Sequence, residues 1–105
     1  MKWYEDYTTI FTLFQNGHSL IDETMFIFRS DPEEEEHYIG YLPQYEKPYW
    51  AGLCDVPDGC EFSSATELFE ARIYSGMSIR ERWDDLILEL IGGMDPDYVD
   101  PSWYI

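Results

Sequence analysis

The side chains able to do chemistry in this chain are few in kind. Cys54 and Cys60 are its two cysteines and His18 and His37 its two histidines. A structural zinc site needs about four ligands in paired spacings such as Cys-x-x-Cys, and neither histidine stands at a telling distance from the cysteines. No metal and no cofactor are therefore expected. Two cysteines are too few for a disulfide framework. In a reducing compartment they are expected as reduced, partly buried thiols, with a small-loop disulfide as the alternative. Nucleophilic catalysis would show itself by Gly-x-Ser-x-Gly, a phosphate-binding glycine loop or His-Glu-x-x-His, and none is present. Asp55, Asp58 and Glu61 resemble a fragment of a calcium loop but lack its order. Acid-base work needs two carboxyls whose surroundings push their pKa values apart, and among 22 Asp and Glu no pair is marked as buried. A binding role, not an enzyme, is the expectation.

The carboxylates dominate as a population. Six Lys and Arg face 22 Asp and Glu, for a formal net charge of −16. Such a chain repels nucleic acid and anionic membranes and is drawn to basic surfaces, most of which belong to proteins that hold nucleic acid. Asp31, Glu33, Glu34, Glu35 and Glu36 form one acidic block, directly ahead of an aromatic stretch with Tyr38, Tyr41, Tyr45, Tyr49 and Trp50. Tyr45, Glu46 and Tyr49 lie in or beside a connection and are expected at the surface. Exposed tyrosine beside carboxylate suits lysine and arginine, by ion pairing and cation–π contact. Asp84, Asp85 and Glu89, with the tail residues Asp95, Asp97 and Asp100, are expected to form a second acidic surface.

Something must position these groups. Residues 38–55 read as two antiparallel strands joined by a connection bracketed by Pro43 and Pro48. Gly40 and Gly52 thin these strands and leave room for neighbouring rings. Ahead of them, Trp3, Tyr7, Ile10 and Phe14 repeat at helical spacing, which predicts a helix over 3–15 stopped by Asn16-Gly17. Residues 25–29 form a compact apolar run and a predicted strand. Asp31 is placed to cap a single helical turn with Pro32 at its first position.

Behind the strands, Val56-Pro57-Asp58-Gly59 is a turn. Ser64–Glu67 and Ser78–Glu81 are capping boxes, predicting helices to about Ile73 and to about Asp85. Residues 86–91 fit a buried strand better than a continued helix. The expected architecture is one α+β domain over 1–105, in the order α-β-β-β-α-α-β. It has an antiparallel sheet of about four strands with helices on one face, and residues 94–105 form an aromatic, acidic tail that docks on its own core or on a partner.

The function these features predict is a small inhibitor that imitates nucleic acid and occupies the cationic channel of a nuclease or RNA-guided effector. In size, charge and compactness the chain is similar to the acidic inhibitors that phages and mobile elements use against host defence, anti-CRISPR proteins among them. The resemblance implies a basic, nucleic-acid-binding protein as partner. Two alternatives stand beside it: an immunity protein against a basic toxin nuclease, and a homodimeric regulatory domain built on the apolar rings. No apolar run reaches the roughly 18 residues of a membrane span, and the N-terminus lacks a secretory pattern. A cytoplasmic protein, monomer or homodimer, is expected, with no direct contact to nucleic acid or membrane.

Overall fold

The stripe of Trp3, Tyr7, Ile10 and Phe14 folds as helix, but in two pieces. In the computed structural model, which describes residues 2–18 and 21–104, a 3-10 turn spans Trp3–Glu5 and helix α1 spans Tyr7–Gln15. Between them Asp6 is extended, and its carboxylate accepts from the backbone N–H of Thr9 at 3.0 Å and from its hydroxyl at 2.7 Å. An Asp at that position satisfies N–H groups that the first turn leaves unpaired, so the helix restarts there. α1 buries Ile10, Leu13 and Phe14. It ends as expected at Gly17, whose φ is +64°.

Five strands form one antiparallel sheet: β1 Thr24–Phe28, β2 His37–Tyr41, β3 Tyr49–Gly52, β4 Cys60–Phe62 and β5 Leu86–Leu90, in the spatial order β4-β3-β2-β1-β5. β1, flanked by β2 and β5, is buried along its whole length, which is why its sequence shows an apolar run without alternation. β5 takes the free side of β1, pairing Leu88 with Phe26 and Leu86 with Phe28. The strand reading of residues 86–91 therefore holds. Helix α2, Ala65–Glu70, lies against α1, with Phe14 and Phe11 packed on Phe69 at ring separations of 5.1 and 5.5 Å. These rings join Phe26, Phe28, Ile39 and Ala51 from the sheet in one hydrophobic core. No described helix is long and apolar enough to cross a membrane.

The α+β class is as expected, but three elements differ. β4 was not anticipated: its three residues are too short to show a period, and its pairing with β3 is set by the Val56–Gly59 turn, where the Gly59 N–H reaches Val56 O at 3.0 Å. α2 stops at Glu70, short of Ile73, because Ala71 is extended and the Phe69 carbonyl is taken by Arg80 N–H. The capping box at Ser78 forms, with Glu81 N–H on Ser78 Oγ at 3.0 Å and Ser78 N–H on Glu81 Oε1 at 3.1 Å. Only turns follow, closing in a 3-10 turn at Trp83–Asp85. The chain must straighten there to enter the sheet, and Asp85 O already accepts from Arg29 N–H at 2.7 Å. The observed order is α-β-β-β-β-α-β.

The tail docks on the start of the chain. Pro96 and Val99 are buried, while Asp97 accepts from Lys2 and from the Tyr4 hydroxyl, each at 2.6 Å. Tyr98 and Trp103 remain exposed.

Candidate functional site

Three loops converge at the His37 end of the β2–β3 hairpin. The first is the acidic block between β1 and β2. The Asp31 carboxylate accepts from Glu33 N–H at 2.9 Å and Glu35 N–H at 3.0 Å, so it does gather backbone donors. The segment folds as a turn rather than a helical turn, with Glu34 at φ +50°. The second loop follows β3. Leu53 stands at φ +52°, a left-handed conformation rare outside glycine, and its carbonyl accepts from His37 Nδ1–H. The third is the 74–77 hairpin, whose Ser75 and Gly76 N–H groups both donate to the Asp55 carboxylate at 2.9 Å.

Between these loops lies an open cleft of about 450 Å³. Its walls are Phe28, His37, Tyr74 and Leu53, and its carboxylates are Asp31, Glu33, Glu35 and Asp55. Arg82 is the one basic side chain lining it among the described residues, and its charge is met internally. Its guanidinium lies 2.9 Å from Asp85, 3.3 Å from Ser30 Oγ and 3.5 Å from the centre of the Phe28 ring. An adjoining groove shares Ser30, Ser75 and Arg82 and adds Met77 and Asp84. Leu53 and Met77 are 51% and 42% exposed, which sets two large apolar side chains among the acids.

The aromatic wall is held from behind. His37 stacks on Phe26 at 5.4 Å and meets the Tyr74 ring edge-on at 5.3 Å. No hydrogen bond joins His37 to Ser30, Ser75 or Cys54 among the described residues. Its assigned bond fastens the start of β2 to the Leu53 loop. Tyr74 is buried and its hydroxyl finds no partner among the described residues. Burial, with the nearby Cys54 and Cys60, pushes that phenol well above its usual range.

Of the acids expected to bind a partner, Asp31, Glu33 and Glu35 line the cleft and Asp84 lines the adjoining groove. Glu34 and Glu36 are exposed beside them. Asp85 is not free for a partner, because it bonds to Ser30 N–H at 3.0 Å, to Ser30 Oγ and to Arg82. Tyr49, expected at the surface, is buried: it faces the core and its hydroxyl donates to Phe14 O at 2.5 Å. Tyr45 and Glu46 are exposed, but the register places their connection at the Tyr41 end of the hairpin, away from the acidic block at the His37 end. The single acidic-aromatic face expected from sequence therefore does not assemble. Asp95 and Asp100 accept from nearby backbone N–H groups, Asp97 holds Lys2, and none of the three lines the cleft.

Leu53, Met77 and Arg82 were not singled out, and Asp55 only as part of an incomplete calcium-loop pattern. Asp55 sits just before a strong turn, the one local cue; the others carry none. Among the described residues no group of three or more His, Cys, Asp or Glu is placed to hold a metal ion. Comparison with protein-family models, curated proteins and solved structures finds no match.

Acid stability follows from the same bonds. Backbone N–H groups hold Asp31 and Asp55 below their ordinary value of 3.8, and Ser30 with Arg82 does so for Asp85. Depressed carboxyls contribute stability above their unfolded pKa and lose it as pH falls through the lower folded value. Self-repulsion of a −16 chain acts the other way and eases as acid is added. The thermal midpoint is expected to rise from pH 7 to about pH 4.5 and then drop steeply below the ordinary carboxyl range. Circular dichroism melts across this span check it. Asp55→Asn should flatten the acid limb; an unchanged limb would remove the loop bonds from the explanation.

Proposed function

We propose that this chain is an acidic binding protein that seats its cleft face on the cationic surface of a nucleic-acid-handling protein, where a polyanion would otherwise lie. The supporting observation is the convergence of Asp31, Glu33, Glu35 and Asp55 on one cleft where Arg82, the one Lys or Arg lining it among the described residues, is already paired with Asp85. Carboxylates there take the place of phosphates. Counterions leaving the basic partner favour the complex at low salt, as they favour DNA. Leu53 and Met77 add what a nucleic acid cannot: apolar anchors inside a charged rim, the composition of a protein interface. The unusual backbone of Leu53 keeps one of them outside, and strain of this kind gathers at functional positions. A nuclease or RNA-guided effector offers the required channel. A basic toxin nuclease offers the same chemistry, so an immunity role uses the same face.

Affinity capture from a host lysate tests the proposal. Immobilised protein should retain basic nucleic-acid-binding proteins at low salt, and both added salt and competing duplex DNA or RNA should release them. Retention of nothing basic, or retention that neither salt nor nucleic acid disturbs, overturns it. The second result would instead fit a complex held by apolar rings.

A further inference from the structure

We propose that the outer face of the β3–β4 pair is a docking trough for a proline-rich segment of a partner protein, in polyproline II conformation with a basic residue at one end. Side chains alternate along a strand. Tyr49 and Ala51 of β3 belong to the core, and the Tyr49 hydroxyl reaches Phe14 O of α1. Trp50 and Gly52 therefore face the other way, on the side of the sheet turned from the helices. Glu61 stands opposite Trp50 in the β3–β4 register.

Trp50 makes a fixed platform there. A Cβ on Gly40 would meet its Nε1 at 2.6 Å and its Cε2 at 2.7 Å, and a Cβ on Gly52 would meet its Cζ3 at 3.9 Å. Atoms from both rings of the indole thus lie against the sheet, yet the side chain is only half-buried. Two recesses adjoin it, of about 440 and 280 Å³, and both are lined by Lys47, Trp50 and Glu61. The smaller adds Leu42, Tyr45 and Pro48 at the hairpin tip; the larger adds Asp58. Tyr45 is 57% exposed. The result is one trough with rings at one end and carboxylates at the other. No residue lining it lines the cleft.

The occupant follows from what this surface offers. The face of a paired ladder has no free N–H or C=O for an added strand. It does have aromatic surface, and the side chains of Tyr45, Lys47 and Glu61 have no polar partner among the described residues. A polyproline II segment has no internal hydrogen bonds and docks by its rings on aromatic-lined grooves. The Tyr45 hydroxyl and the Lys47 ammonium can donate to its open carbonyls. From Pro48 to Gly52 the strand runs ~13 Å. Polyproline II advances about 3.1 Å per residue, so the trough holds about one Pro-x-x-Pro unit. Asp58 and Glu61 outweigh Lys47 at the far end, which favours a basic residue beside the prolines.

Fluorescence anisotropy tests this, with the full-length chain titrated into a labelled peptide that has a Pro-x-x-Pro core and one flanking arginine. Saturable binding is expected at physiological salt. A peptide of the same composition with its prolines respaced should bind at least about tenfold more weakly. Tyr45→Ala and Trp50→Ala should each cost about tenfold or more; Tyr45 is exposed, so its variant keeps the fold even where the Trp50 variant does not. Asp58→Asn with Glu61→Gln should weaken binding about fivefold and leave a peptide with leucine in place of arginine unaffected. Neutralising Asp31, Glu33, Glu35 and Asp55 in the cleft should change affinity by less than about threefold. Absence of binding, equal binding of the respaced peptide, an unchanged Tyr45→Ala, or loss caused by the cleft variant instead would each overturn the proposal. Retention of a soluble oligosaccharide but not of the peptide would do so as well.

Discussion

Converting Asp31 and Asp55 to Asn and Glu33 and Glu35 to Gln together is expected to weaken binding to a cationic partner by about a hundredfold at low ionic strength. An exposed charge pair contributes about 0.5–1 kcal/mol, and four lost pairs on one face add to about that factor. The side chains keep their size. Asn offers one acceptor oxygen where Asp31 and Asp55 each set both carboxylate oxygens on backbone N–H groups, so one bond of each pair is lost and a melt of both variant sets must accompany the binding measurement. Glu33 and Glu35 accept no bond inside the described fold, so their change is purely electrostatic. The control must remove the same charge elsewhere. Glu23, Glu46, Glu61 and Glu89 are exposed and line no part of the cleft. Changing these four to Gln alters long-range attraction equally, and the loss should stay within about tenfold. Titration calorimetry against a captured partner, at two salt concentrations, separates the cases. Equal losses from the two sets would mean that bulk charge, not the cleft face, directs binding.

Gly40→Ala is expected to cost about 3 kcal/mol of stability or more. A Cβ at this position would lie 2.0 Å from Asp22 O and 2.6 Å from Trp50 Nε1. The first contact is with backbone, which cannot swing aside as a side chain would. The segment before β1 crosses the hairpin here, and the Trp50 ring fills the same space. Gly52→Ala, twelve residues on in the paired strand, supplies the contrast. Its nearest contacts would be 3.9 Å from Trp50 and 4.0 Å from Tyr38 O, ordinary van der Waals separation. It should leave stability within about 1 kcal/mol. Urea unfolding of both variants tests the pair. A mild Gly40→Ala would show that the Asp22 segment can move off the sheet. Both glycines read alike in sequence, as gaps left for large rings, and only Gly40 serves that purpose.

What the residues determined unaided was everything that rests on local repetition. The α1 face repeats every three or four residues, and the structure buries it. The apolar run at 25–29 and the aliphatic run at 86–91 became neighbouring strands, β1 inside the sheet and β5 at its edge. The Ser78 capping box made both its hydrogen bonds, and at Ser64 the cap formed with Glu67 reaching back to Ser63 N–H instead, because a cap depends on groups within four residues. The excess of negative charge was equally plain, being a matter of composition. Asp6 shows how a local cue can be overlooked: a stripe of correct period ran straight through a residue suited to begin a helix.

Tertiary structure decided the rest, since it depends on groups far apart in the chain. β4 exists because the turn after β3 delivers three residues to a waiting edge. The helix expected after Ser78 is cut short because Asp85 and Leu86 must meet β1, more than fifty residues earlier. The acids sort by the same logic. Asp31, Glu33, Glu35 and Asp55 become neighbours through strand register and the clasp on Ser75 and Gly76, whereas Tyr45 and Glu46 go to the opposite end of the hairpin and Tyr49 turns inward. Periodicity reports which side of an element is apolar; it carries no information on which end of it another loop will reach.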